Sequence, residues 1–166
     1  MSRVELRIGD LLEQHDADVI VNAWNRNFIP WWLLLPSGVS GAIKKRGGFA
    51  PFRELRRFGV LAAGDAVVTG AGRLPFRAII HVAALNAFWV SSEAIIRRCT
   101  INALNEAAKI GAGTIAVPLI GAGTGGVAPT RSLEGIREEA ERHAFTGRVL
   151  IVSREQLPGV SVSTAE

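Results

Sequence analysis

Cysteine is almost absent. Cys99 stands alone among 166 residues, so no internal disulfide can form, and a reducing compartment such as the cytoplasm is the expected setting. Long apolar runs are missing too. The densest, Phe28 to Leu35, is interrupted by Pro30 and is far shorter than the ~20 residues that span a bilayer, so no membrane association is expected. Met1 to Asp10 alternates polar and apolar residues without the hydrophobic block of a secretion signal. No repeat, low-complexity tract or break in composition marks a linker. One domain is expected over residues 1–156, and the small polar residues of 157–166 read as a flexible tail. His15, His81 and His143 have no metal-ligand spacing with one another or with Cys99, so neither a metal nor a cofactor is expected.

Apolar residues make up 48% of the chain and charged ones 20%, which describes an ordinary globular protein, since a disordered chain carries fewer apolar residues and more net charge. A net charge of +4 favours an anionic partner without naming it. The basic clusters Lys44-Lys45-Arg46, Arg53 with Arg56-Arg57, and Arg97-Arg98 read as solvated helix faces. They lack interleaved aromatics, so a nucleic-acid partner is not favoured.

Periodicity gives strands at Arg3 to Ile8, Asp18 to Asn22, Asp65 to Thr69, Arg77 to Ala83, Thr114 to Ile120 and Arg148 to Ser153. Helices are expected at Gly38 to Arg46, Pro51 to Arg57, Ser91 to Ile110 and Thr130 to His143. The third carries an apolar stripe of Ile96, Cys99, Ala103, Ala107 and Ile110, which makes Cys99 a packing residue. His81, inside an apolar strand, reads as a hydrogen-bonded core histidine. Alternation of strands and helices implies a largely parallel sheet covered on both faces. Ligands of such sheets sit beyond the carboxyl ends of the strands, here at Asn22 and Ile120.

After Ile120 comes GAGTGG, Gly121 to Gly126. Its glycines free backbone N–H groups to converge on an anion, and a pyrophosphate-cradling loop competes with a plain glycine-rich turn. Pro129 delays the next helix, which argues against a dinucleotide-binding fingerprint. SGVSGAI, Ser37 to Ile43, places glycines and small residues at a helix start, a natural phosphate contact, while capping by Ser37 or Ser40 is the commoner use of serine there and is compatible with it. Asn22 and Asn25 carry carboxamides suited to ribose hydroxyls or to loop backbone groups. Asp10 either accepts from an exocyclic amine such as that of adenine or caps the short segment Leu11 to Gln14.

These segments together resemble the macrodomain family. GDLL at Gly9 to Leu12, DVIVNAWN at Asp18 to Asn25, GVSGAI at Gly38 to Ile43, IIHVA at Ile79 to Ala83 and PLIGAGTGG at Pro118 to Gly126 stand in matching order. The resemblance implies a three-layer α/β/α sandwich with a mostly parallel mixed central sheet, and ADP-ribose as ligand. It places Asp10 and Leu11 at adenine, Gly38, Val39, Ser40 and Gly41 at the first phosphate loop, and Gly121, Ala122, Gly123, Thr124, Gly125 and Gly126 at the second. Asn22 and Asn25 would serve the ribose, with Asn25 and Ser40 as catalytic candidates.

Two departures from the family matter. Hydrolytic members of the MacroD type carry VDG where this chain has Val39-Ser40-Gly41, and a serine hydroxyl is too weak an acid to be a resting base near neutral pH. The aromatic expected near Gly125 or Val127 is also missing, while the segment between Asn25 and Gly38 is lengthened and holds Trp31 and Trp32. Either Trp31 or Trp32 is expected to wall the distal ribose pocket, the alternative being packing on the body of the domain. The resemblance implies a hydrolase that removes mono-ADP-ribose from modified proteins, with carboxylate esters as the leading linkage. A non-catalytic ADP-ribose reader is the second reading, and a basic nucleic-acid-binding domain the third.

Overall fold

The computed structural model describes residues 2–30, 32–33 and 38–162. Its strands are β1 (Arg3–Ile8), β2 (Val19–Trp24), β3 (Ala66–Thr69), β4 (Ala78–Ala83), β5 (Thr114–Pro118) and β6 (Arg148–Ser153). Its helices are α1 (Gly38–Gly47), α2 (Ala50–Arg56), α3 (Glu93–Lys109) and α4 (Pro129–Arg142), with a 3-10 turn at Leu11–Glu13. The sheet runs β1-β6-β5-β2-β4-β3. Five strands are parallel and β3 joins the edge antiparallel to β4. This is the expected three-layer α/β/α sandwich.

Strand alternation sorts the core into two layers. Val19, Val21, Ile80, Val82, Ile115, Val117, Val149 and Ile151 face α3 and α4. Ile20, Ile79, Ala116 and Leu150 face α1, α2 and the 3-10 turn. The α3 stripe packs as its spacing demands: Ile96, Cys99, Ala103 and Ala107 are buried, and Ser92 caps the helix by accepting from the Ile95 N–H at 3.2 Å. Burial pushes the Cys99 thiol up to about 12, so it packs and does not react. The Asp18 carboxylate accepts from the N–H groups of Gly113 and Thr114 at 2.7 and 2.9 Å, tying the start of β2 to the start of β5.

Two strand ends differ from expectation, and both differences bear on the site. β2 continues to Trp24 because parallel pairing with β4 persists through Asn22–His81 to Trp24–Ala83. Asn22 is therefore inside a strand. β5 stops at Pro118, and the Ala122 N–H closes a turn onto the Leu119 carbonyl at 3.2 Å. At the other end, Leu157, where fraying was expected to begin, is buried in the α3–α4 layer, with Val160 and Val162 packed partly against it. Among the described residues, no helix is long and apolar enough to cross a membrane.

Phe52 anchors the α2 side. It is 1% exposed, lies 5.2 Å from the Trp24 ring and meets His81 edge-on at 5.8 Å. Replacing it by Ala should cost about 3–5 kcal/mol, read as a lowered urea midpoint. A loss below about 1 kcal/mol would contradict this packing.

Candidate functional site

The carboxyl ends of all five parallel strands open into one cleft of about 670 Å³. Gly9 to Leu12 follow β1, Ala23 to Asn25 end β2, and Ala84, Leu85 and Trp89 follow β4. Pro118, Leu119 and Gly121 to Gly125 come from β5 and its loop. Val152 and Ser153 end β6, with Arg154, Glu155 and Leu157 following it, while Gly38 to Ser40, Ala42 and Lys44 come from α1. The parallel-sheet rule anticipates this place. It applies equally to the ends of β4 and β6, where sequence reasoning did not look.

Two sources of unpaired backbone N–H line the cleft. The first turn of α1 has N–H groups without intrahelical partners and the positive end of the helix dipole. In the glycine loop, the N–H groups of Gly123, Thr124 and Gly125 have no hydrogen-bond partner among the described residues. The loop's glycines serve different ends. A side chain at Gly121 would come within 2.6 Å of Ser91 Oγ, and one at Gly125 within 2.7 Å of the Gly121 carbonyl. Those two are required by packing on Ser91, whose N–H donates to the Gly125 carbonyl at 3.0 Å. Gly123 has neither a left-handed φ nor any atom within 4 Å of where a Cβ would stand. Nothing in the protein requires a glycine there, and the position lies on the cleft wall.

Among the described residues, Asn22, Gly41 and Gly126 do not line the cleft. Asn22 is fully buried, with Nδ2 3.0 Å from His81 Nδ1 and Oδ1 accepting from Ser40 Oγ at 2.8 Å. The ribose contact expected of Asn22 is thus corrected to a core hydrogen bond, because the strand runs past it. His81 is also fully buried, its Nε2 2.8 Å from Thr69 Oγ1, and burial pushes its pKa down to about 3. Asn25 does reach the cleft wall. Its Oδ1 accepts from the Asn27 N–H at 2.6 Å, and its Nδ2 has no partner among the described residues. Asn27, which sequence reasoning missed, takes a left-handed φ of 62° and donates to the carbonyls of Leu55 and Gly59 at 2.9 and 2.8 Å. It ties the Asn25 turn to α2.

Asp10 takes the capping role. One oxygen caps the 3-10 turn by accepting from the Leu12 N–H at 2.8 Å, the other faces Arg46 at 3.4 Å, and the residue stands on the cleft wall beside buried Leu11. Lys44 departs from its expected solvated face. It is 8% exposed, one helical turn beyond Ser40 on the same side of α1, with Nζ 5.2 Å above Trp24 and 5.0 Å above Phe52. Burial lowers its pKa. The i,i+4 spacing from Ser40 was the available signal.

Among the described residues, Trp89 stands on the cleft wall together with Trp24, and Trp32 does not. Trp32 is half exposed, stacks against the Arg56 guanidinium at 4.8 Å and is absent from the cleft wall. Trp31 lies outside the described residues. Trp89 lines the cleft with φ of 61° and Phe28 against it edge-on at 6.2 Å. A left-handed bulky residue costs about 1–3 kcal/mol. The turn that imposes it is held by Asn86, whose Oδ1 accepts from the N–H groups of Phe88 and Val90 at 2.8 and 3.1 Å.

A family model described as Macro domain matches residues 21–136. The "Macro domain-containing protein in non 5'region" of Streptomyces griseus is 42% identical over 127 residues, covering 72% of this chain and 68% of that protein. The Trypanosoma brucei macrodomain in complex with ADP-ribose matches with a TM-score of 0.75 at 23% identity, over 92% of this chain and 64% of that one. The macrodomain of Mycobacterium tuberculosis DarG matches with a TM-score of 0.73 at 20% identity, over 91% of this chain and 98% of that one. The two structural likenesses show the fold, and the sequence match carries the family. The chain belongs to the macrodomain family.

The buried histidine has a consequence for stability. Folded His81 stays neutral while an unfolded histidine protonates near pH 6.5, so its contribution is complete above that pH and is lost as pH falls toward 3. Asp16, held down to about 2 chiefly by its hydrogen bond from Arg7, acts below pH 4 instead. The stability of the wild type should therefore decline from pH 6.5 to pH 4, and more shallowly in His81→Phe. Equal slopes in urea titrations across that range would contradict the assignment.

Proposed function

We propose that the cleft binds ADP-ribose and that the protein hydrolyses ADP-ribosyl linkages, releasing mono-ADP-ribose from modified protein side chains, carboxylate esters first among them. The observation that carries this reading is the pair of N–H sources on one cleft: three consecutive groups at Gly123 to Gly125 without a partner among the described residues, and the first turn of α1. A pyrophosphate is a ligand that both can serve without any cationic side chain, and buried Lys44 adds positive charge to the same wall. Adenine would lie at Asp10 and Leu11, and the distal ribose between Asn25 and Trp89. Asn25 Nδ2 is available to orient that ribose, so catalysis would rest on positioning and on preorganised dipoles.

A second reading, a reader that binds ADP-ribose without cleaving it, is favoured by Ser40. The position holds a hydroxyl bonded to Asn22 and no carboxylate. The two readings separate in one experiment. Purified protein incubated with an ADP-ribosylated ester substrate should release ADP-ribose, and Asn25→Ala should slow release by 10-fold or more. Binding without release selects the reader.

Two variants test the site itself by calorimetry. Gly123→Val should fold like the wild type and bind ADP-ribose at least 10-fold more weakly, since its side chain meets only the cleft. Unchanged affinity would remove the glycine loop from the site. Trp89→Ala should weaken ADP-ribose several-fold and ADP, which lacks the distal ribose, much less. Equal losses would place Trp89 elsewhere on the ligand.

A further inference from the structure

A chain of hydrogen bonds crosses the α1–α2 layer from the sheet edge to the cleft. Thr69 Oγ1 is 2.9 Å from the Gly70 carbonyl and 2.8 Å from His81 Nε2. His81 Nδ1 is 3.0 Å from Asn22 Nδ2, and Asn22 Oδ1 is 2.8 Å from Ser40 Oγ. Thr69, His81 and Asn22 are at most 3% exposed, so water does not complete any of these pairs.

The direction of every proton follows from the far end. A backbone carbonyl only accepts, so the Thr69 hydroxyl must donate to Gly70. Its oxygen then accepts from His81, which fixes the proton of the neutral imidazole on Nε2. Nδ1 is left bare and must accept, so Asn22 turns its amide NH₂ to His81 and its carbonyl to Ser40. The Ser40 hydroxyl is thereby spent on Asn22. Toward the cleft, Ser40 offers lone pairs alone.

We infer that Thr69, His81 and Asn22 are positioning residues that make Ser40 a one-way hydrogen-bond acceptor in the cleft, selecting a hydroxyl or water donor at that point and not a phosphate oxygen. An anion contact near Ser40 then falls to backbone N–H groups of α1. A carboxylate at this position would also be an acceptor, so the chain gives a neutral side chain the same hydrogen-bonding sense. The polarity is independent of what the protein binds; its consequence for ligand choice rests on the ADP-ribose reading above.

The test starts with the proton on His81. Long-range ¹H–¹⁵N spectra of the labelled full-length protein should show His81 protonated on Nε2 and bare on Nδ1. A proton on Nδ1, or on both nitrogens at neutral pH, would overturn the inference. Thr69→Val keeps the side-chain shape and removes the acceptor for Nε2. The proton should then move to Nδ1, Asn22 should reverse, and Ser40 should be left to donate into the cleft. A folded Thr69→Val protein that keeps the Nε2 proton would also overturn it.

A double-mutant cycle links polarity to ligand. Thr69→Val should weaken ADP-ribose binding several-fold in the wild-type background and negligibly when Ser40 is already Ala. An equal effect in both backgrounds would show that the chain does not act through Ser40. Failure of the wild type to bind ADP-ribose would defeat the ADP-ribose reading and the ligand-choice part of the inference, leaving the tautomer result to decide the polarity.

Discussion

The hydrogen bond between Asn22 and His81 is the constraint on which the site rests. The parallel register sets these two residues side by side on β2 and β4, on the face covered by α1 and α2. A slip of β2 by one residue would turn Asn22 to the opposite face, among the aliphatic residues beneath α3 and α4, and leave His81 without it. Each buried polar atom left without a partner there would cost about 1–3 kcal/mol. The pair therefore specifies one register, and through Ser40 it seats α1 on the sheet. A fully satisfied polar network inside an apolar layer is conformationally selective in this way.

From that seat, the first turn of α1 falls on the wall of the crevice at the strand ends. The opposite loop is fixed by a separate anchor, Ser91, whose N–H donates to the Gly125 carbonyl and whose side chain leaves no room for a residue larger than glycine at 121 or 125. Both N–H sources are held by the body of the domain before any ligand arrives. Ordering them costs little on binding, and such preorganisation is where an anion site made of neutral dipoles gets its affinity.

Much of this could be seen in the residues alone. β1 and β6 fall where alternation puts them, and the α3 stripe is the one its spacing predicts, because each segment is strongly periodic and agrees with its burial. The family pattern placed Asn25, Gly38 to Ser40 and the glycine loop on one cleft. What escaped was set by tertiary contacts. Asn22 looked like a strand end until pairing with β4 carried β2 two residues further. Lys44 looked solvated because its neighbours Lys45 and Arg46 are, and only the fold lays its stem across Trp24 and Phe52. Trp89 had no signal in the lengthened tryptophan-rich segment, since it enters from the loop after β4 on an Asn86-stabilised turn with a left-handed backbone.

The central claim, that backbone N–H groups of two loops receive the ligand, is tested most directly by amide NMR during an ADP-ribose titration. The account predicts the largest shifts at Gly123, Thr124 and Gly125 and at Val39 to Gly41, with the His81 ring signals little changed. Shifts confined to other surfaces, with these amides unmoved at saturation, would contradict it.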